Sequence, residues 1–349
     1  MTRYGIVGCG GIGRLRVRAL HRSPNADLAA VCDLDETLAR ASATGDTRVA
    51  PDWKALVADD DIDVVIVSTP PSSHAEIAIA ALRAGHHVLV EKPLARSSAE
   101  CRAIQTEADR AGRSLFVGFN YRFYPSVVRS REWLDAGAIG ELDHIRAYAG
   151  YPATDLGHAW LKDPEVMGGG ALRDTGIHLL DLVGWFLGGN VTAQGLASDR
   201  VWRFDGCEDN GFLLLQSDEG RVASVQASWT EWRGYRFRLE LYGTEGCIIV
   251  SCFPMIARLV PARKKGGRGG GKRAFFPYTH AMERLRSYTW VVEESFIAEF
   301  ASIEAALSGR AAVVASGLDG IRTVELAEAA IDVGPRRPPA GDSQADRTR

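Results

Sequence analysis

The sequence predicts a two-part α/β protein: an N-terminal doubly wound parallel sheet, then an α+β unit on a large, open, mostly antiparallel sheet. Three observations carry this. In the first third, short apolar runs alternate with helix-period segments that stop at glycine, the pattern of strands and crossover helices. Beyond Gly189 the chain turns strand-rich, with tight-turn residues between the strands, and tight turns join antiparallel neighbours. The length, 349 residues, exceeds what one ordinary core fills and suits two.

Taken in order, the apolar runs 4–7, 28–32, 64–68, 87–90 and 115–118 read as parallel strands. Between them, the amphipathic segments 76–84 and 99–111 are followed by Gly85 and Gly112, glycine being the usual residue just past a helix end. After Asn120 come a helix over 126–136, a strand over 142–149, a glycine-rich stretch and a helix over 177–187. Strands follow at 191–196, 211–216, 221–228, 237–242 and 247–251, with turns at Asp218-Glu219-Gly220 and Gly243-Thr244-Glu245-Gly246. One face of such a sheet is covered by helices, and the other calls for cover from a partner. Helices over 291–307 and 317–331 close the fold and are expected to return onto the first part. The implied division is 1–120, 121–333 and a disordered tail, 334–349, too poor in apolar residues to order itself.

Composition narrows the function classes. Hydrophobic residues at 46% and charged residues at 24% belong to an ordinary globular protein, not a disordered or fibrous one. A formal net charge of −3 offers no general attraction to nucleic acid or anionic membrane, so neither is expected as a partner. The basic, glycine-rich stretch from Arg263 to Arg268, continuing through Lys272 and Arg273, reads as a mobile solvated loop; its other reading is a grip for a phosphorylated or nucleotide-linked substrate. Six cysteines without a C-x-x-C pair read as reduced core residues. Met1 runs straight into a strand and no apolar stretch is long enough to span a bilayer, so the cytoplasm is the expected location. No cluster beyond Asp174 and His178 has metal-ligand spacing, and no metal is expected.

The sharpest local signal is Gly8-Cys9-Gly10-Gly11-Ile12-Gly13, which follows the first strand and opens a helix. Gly8 permits the tight turn, Gly10 lets a pyrophosphate approach the backbone, and Gly13 allows helix and strand to pack closely; Gly11 and Ile12 complete the cradle. Asp33 ends the second strand about twenty residues on, where a carboxylate accepts the ribose hydroxyls of an adenosine. Its charge repels a 2′-phosphate and Asp35 and Glu36 add to that, so NAD is expected over NADP, with Arg14 and Arg40 able to reverse the preference. Thr69 and Pro70, at the end of the third strand, fall where open α/β sheets bind ligands and can line the cofactor. His74 either touches the cofactor's edge from the start of a helix or is purely structural.

Glu91-Lys92-Pro93 after the fourth strand, with Gly168-Gly169-Gly170 leading to Asp174 and His178, resembles the Gfo/Idh/MocA oxidoreductases, which include inositol and glucose-fructose oxidoreductases. The resemblance extends from the glycine loop to Gly317-Leu318-Asp319-Gly320. It implies a Rossmann domain followed by a domain with an open sheet used to form dimers or tetramers. It implies a catalytic set of Lys92, Asp174 and His178, with Glu91 and Lys92 on the cofactor side. It also implies that Asn120 lies beside the nicotinamide and Arg122 beside the substrate. The implied substrate is a sugar, cyclitol or nucleotide sugar.

The chemistry of these residues agrees. Moving a hydride off a carbinol carbon needs a group that takes the hydroxyl proton and a charge that steadies the alkoxide. His178, with an ordinary pKa of about 6.5, suits the first task and Lys92 the second. The reverse assignment, with Lys92 as the base, stays open. Asp174 and His178, four apart on a helix-period stretch, share a face, so Asp174 is expected to hold both a substrate hydroxyl and the imidazole. Asp181, three residues on, either orients that ring or caps a surface. Trp160 and His158 form a substrate wall or merely pack. Singly, a lysine before proline is a surface charge and a histidine on an amphipathic helix a core-edge residue; together with the glycine loop they point to a dehydrogenase site. Two other functions fit the same scaffold: an NAD-using glycoside hydrolase, and a non-catalytic cofactor-binding regulator, which would have no need of the three residues.

Overall fold

The computed structural model describes residues 1–154, 156–262, 271–286 and 288–332. The basic residues 263–270 and the tail from 334 lie outside them.

The N-terminal segment lays down β1 (Thr2–Val7), α1 (Gly11–Arg22), β2 (Ala26–Cys32), α2 (Glu36–Ser42), β3 (Arg48–Val49), α3 (Trp53–Val57), β4 (Val64–Val67), α4 (His74–Arg83), β5 (His87–Val90), α5 (Ser98–Ala111) and β6 (Leu115–Val117). The continuous apolar runs of β4 and β5 follow from burial on both faces: Val64, Val65, Ile66 and Val67 are all fully buried. Parallel pairing gives the order β3-β2-β1-β4-β5-β6. Strand order reverses between β1 and β4, and the crevice at their C-terminal ends is where such sheets take a ligand.

The chain continues through α6 (Pro125–Asp135), β7 (Leu142–Gly150), α7 (Pro164–Met167), α8 (Ile177–Leu187), β8 (Val191–Ser198), β9 (Asn210–Ser217), β10 (Val222–Ser228), β11 (Arg236–Gly243), β12 (Gly246–Ser251), β13 (Ile256–Pro261) and β14 (Lys272–Phe275). These strands and β16 (Ala330–Asp332) form a nine-stranded sheet ordered β14-β13-β12-β11-β7-β10-β9-β8-β16. It is antiparallel except where β7 meets β10 and β8 meets β16. Period-2 alternation puts Leu213 and Leu215 of β9 into a core with Leu179, Leu180 and Val183 of α8, while Phe212 and Leu214 face out, Leu214 at 69% exposure.

The last segment, α9 (Pro277–Arg286), α10 (Thr289–Leu307), β15 (Ala315–Ser316), α11 (Gly317–Glu328) and β16 (Ala330–Asp332), returns across both sheets. Phe296, Phe300 and Ile303 of α10 share a core with Leu15, Val17 and Leu20 of α1, and β15 adds antiparallel to β6. We therefore propose a boundary near residue 120 that divides the sequence but not the space: the first sheet is completed by residues 315–316.

Two expectations are corrected. The helix read over 317–331 stops at Glu328, and the chain becomes β16 along the edge of β8; apolar Ala330 and Ile331 satisfy either period, and an open strand edge decides for pairing. Lys272 and Arg273, read with the solvated loop, lie in β14, paired with Leu259 and Arg258. All six cysteines are free thiols, five of them buried. Among the described residues no helix is long and apolar enough to cross a membrane.

Candidate active site

The glycine loop is built as its spacing demands. Gly8 has φ +97°, and a Cβ there would lie 2.8 Å from the Ser68 carbonyl. At Gly13 a Cβ would sit 2.0 Å from the Gly8 oxygen, so helix and strand approach this closely only with glycine. At Gly10 and Gly11 it would meet open space, and no side chain caps the N-terminus of α1. Ile12, on the first helical turn, is partly exposed. Free N–H groups at a helix start, with room above them, fit a dinucleotide's pyrophosphate. Asp33 accepts the Cys9 N–H (2.6 Å) and the Asp35 N–H (2.9 Å), which pins its carboxylate at the mouth of the cradle, where ribose hydroxyls would be held. Arg40 is paired with Glu36 (3.0 Å), so it is not a free partner for a 2′-phosphate; Arg14 remains exposed.

Thr69 and Pro70 sit at the β4 end, facing the same crevice mouth, with Thr69 held by the Ser73 hydroxyl (2.7 Å). Both ring nitrogens of His74 are engaged within the protein, which favours its structural reading. The residue is fully buried, its Nδ1 against the Pro93 carbonyl (3.0 Å) and its Nε2 against the Thr69 carbonyl (2.7 Å), so it ties the β4 loop to the turn after β5. Glu91 turns to Arg16 of α1: its carboxylate takes the Arg16 Nε–H (2.5 Å) and the Lys92 N–H (3.3 Å). Asn120 is buried and spends its amide nitrogen on Ser295 of α10 (2.9 Å).

Lys92 stands at the end of β5, followed by a cis peptide to Pro93. Its Nζ donates to the Asp174 carbonyl (3.0 Å) and to Asp174 Oδ1 (3.4 Å). Asp174 lies in a π-helical turn, Leu172–Gly176, ahead of α8, not in the plain α-helix that the spacing suggested. The partly buried Glu208 carboxylate holds that turn by accepting the Gly170 and Leu172 N–H groups, both at 2.7 Å. The glycine is needed here: a Cβ on Gly170 would lie 2.2 Å from the Glu208 carbonyl oxygen.

Two residues at this site escaped the sequence reading. Asp174 Oδ2 accepts the Tyr151 hydroxyl (2.5 Å) and the Trp229 indole N–H (3.2 Å). They are 78 positions apart and meet because β7 pairs in parallel with β10, Gly150 opposite Ser228. Only the sheet order reveals this.

His178 is 7% exposed, its ring stacked on Tyr121 at 4.0 Å and 11°. It is not bonded to Asp174, whose oxygens go to Lys92, Tyr151, Trp229 and Thr175, and its Nδ1 is buried without a partner. Burial, and then the neighbouring Lys92 charge, hold its pKa well below the ordinary range. The ring is therefore neutral at physiological pH. Behind it, the Tyr121 and Tyr235 hydroxyls share a hydrogen bond (2.8 Å).

Arg122 and Asp181 need correcting together. Arg122 is 3% exposed; it donates to both oxygens of Asp181 (2.9 and 2.5 Å) and lies 3.4 Å from Asp319. It is closed off from any substrate, and Asp181 neither orients His178 nor caps a surface. Trp160 is half-buried on a short turn, Ala159–Lys162, its ring stacked on His158 (5.8 Å, 17°). Among the described residues no group of three or more His, Cys, Asp or Glu is placed to hold a metal ion.

Residues 2–119 match the oxidoreductase family with an NAD-binding Rossmann fold, and residues 127–249 the GFO/IDH/MocA C-terminal domain. Inositol 2-dehydrogenase 2 of Saccharopolyspora erythraea is 35% identical over 254 residues, 70% of this chain and 71% of its own. Inositol 2-dehydrogenase of Rhizobium meliloti is 29% identical over 334 residues, 95% of this chain and 96% of its own. Among solved structures, an oxidoreductase domain protein from Kribbella flavida superposes with a TM-score of 0.81 at 28% identity, covering 94% of this chain and 96% of its own. GenD2 from gentamicin A biosynthesis, in complex with NAD, gives 0.75 at 27% identity, covering 94% and 93%.

Proposed function

The chain belongs to the Gfo/Idh/MocA family and is an NAD-dependent oxidoreductase; on that premise we propose that it oxidises a ring secondary hydroxyl of a cyclitol or sugar, using Lys92, Asp174 and His178. The observation that carries this reading is the Lys92 to Asp174 contact, at the sheet's ligand-binding edge and beside a neutral, buried imidazole.

A nicotinamide dinucleotide held by the Gly8–Gly13 cradle and Asp33 would supply the hydride acceptor or donor for the carbinol carbon. His178, held neutral, accepts the hydroxyl proton at the ring nitrogen other than its enclosed Nδ1. Lys92, fixed by Asp174, puts positive charge beside the oxygen as it gains alkoxide character. Asp174, steadied by Tyr151 and Trp229, sets the ammonium's direction and offers Oδ1 to a neighbouring substrate hydroxyl. Trp160 forms one wall of the substrate cleft.

The test is a panel of cyclitols, monosaccharides and nucleotide sugars with NAD and with NADP, followed by absorbance of the reduced nicotinamide. NAD-linked turnover of a ring polyol is expected; no turnover across the panel would remove the proposal. Asp33→Ala is expected to weaken NAD binding about tenfold to a hundredfold, the worth of hydrogen bonds to a charged acceptor, while NADP binding weakens less. Fluorescence titration with both reduced cofactors checks this, and an unchanged NAD to NADP ratio would refute the role given to Asp33.

The outer face of the nine-stranded sheet seats a second copy of the chain. Leu196, Phe212 and Leu214 stand exposed there among Arg146, Arg238 and Glu240, an apolar centre in a charged surround. Leu214→Glu is expected to shift the protein to smaller species in light scattering; an unchanged mass would exclude this face. Free cysteines support a reducing compartment, and we place the protein in the cytoplasm.

A further inference from the structure

Arg16 is fully buried in α1, the helix whose first turn is the dinucleotide cradle. Its Nε donates to Glu91 (2.5 Å) and its Nη1 to Glu299 of α10 (2.8 Å); Glu299 is also fully buried. The guanidinium lies 4.1 Å from the Phe296 ring centre, so α10 walls it in as well as pairing with it. At Gly118, a Cβ would lie 2.5 Å from Arg16 Nη2 and 3.2 Å from Glu91 Oε2, so the end of β6 is cut back to admit the pair. Glu91 Oε2, the oxygen not bonded to Arg16, accepts the Lys92 backbone N–H.

A single cation thus joins three things: the helix that seats the cofactor, the strand end that carries the ammonium, and a helix from the chain's last segment. A guanidinium makes its bonds in a fixed plane, so Arg16 holds the fully buried Glu299 and the nearly buried Glu91 at a set spacing, and Glu91 passes that spacing on to the Lys92 backbone N–H. We propose that Arg16 and Glu299 are positioning residues that set the spacing between the cofactor cradle and Lys92, acting through Glu91. Neither reaches the substrate. The proposal rests on the catalytic reading of Lys92, and its test includes a measurement that does not require turnover.

The chain holds six lysines, Lys54, Lys92, Lys162, Lys264, Lys265 and Lys272, so reductive methylation with a carbon-13 label gives few enough signals to assign Lys92 by its loss in Lys92→Arg. Three variants of the full chain are compared with NADH bound: Arg16→Met, Glu299→Leu and Glu299→Gln. In Glu299→Leu and Arg16→Met, kcat should fall about tenfold to a hundredfold, as expected for a displacement of the reacting group by about an ångström. The Kd for NADH should stay within about threefold, since the cradle glycines are untouched. The Lys92 signal should move while that of Lys162 does not. Glu299→Gln keeps an acceptor for Arg16 and should restore most of both. A packing role alone would lower thermal stability but leave kcat and the Lys92 signal of the folded protein unchanged; that result overturns the proposal. So does a parallel fall in kcat and NADH affinity. If the wild type turns over no ring polyol, the functional reading fails separately, and the Lys92 signal still decides the positioning role.

Discussion

Lys92→Ala is expected to reduce turnover about a thousandfold or more while NADH binding stays near that of the wild type. The Lys92 ammonium is the charge placed beside Asp174 at the sheet edge, and it takes no part in the glycine cradle that grips the phosphates. His178→Ala should fall by a similar order, because its neutral ring is the proposed proton acceptor. The two losses should not add in the double variant, since both groups act on the same oxygen as it loses its proton and gains alkoxide character. Steady-state rates together with fluorescence titration of NADH separate chemistry from binding. Rates within a few fold of wild type in both variants would remove the catalytic set. The depressed His178 pKa has a sign that can be checked: the neutral ring persists as pH falls through about 6.5, so an acid limb in kcat assigned to this histidine lies below that value.

Arg122→Met carries the largest expected loss of stability, because it leaves Asp181 as an unpaired charge in a dry interior. Breaking one side of such a pair costs about 3–5 kcal/mol, which in a chain of this size lowers the melting temperature by roughly 4–7 °C. Replacing both partners, Arg122→Met with Asp181→Leu, should recover most of the loss, since two apolar groups leave no charge behind. Thermal unfolding of the single and double variants checks this. A single variant as stable as the wild type would mean that water reaches Asp181.

The cofactor cradle was legible in the sequence because its physics is local: Gly8, Gly13 and Asp33 act within one β-α-β unit, and their spacing alone encodes the turn and the close packing. Lys92 and Asp174 were legible as a motif, and in the fold their side chains lie 3.4 Å apart. What failed was direction. The resemblance put Glu91 on the cofactor side and Arg122 beside the substrate, and His74 stood between a cofactor contact and a structural role; each turns inward to a partner that only the assembled fold brings near. Asp181 and His178, three apart on α8, look in different directions because Arg122 claims one while Tyr121 stacks on the other. Tyr151 and Trp229 carried no sequence signal, as their meeting depends on a parallel pairing inside a mainly antiparallel sheet. β16 was missed because Ala330 and Ile331 suit a helix or a strand equally, and an edge in need of a neighbour chose.

The stitching of β15 and α10 onto the first sheet bears on how the protein is made. During synthesis the nucleotide half leaves the ribosome nearly two hundred residues before Glu299 and Ala315 exist. Until then Arg16 lacks one of its two carboxylates and β6 remains an open border. Closure of that half is therefore postponed to the end of translation, and a fragment truncated at residue 120 should emerge as a sticky, loosely ordered species.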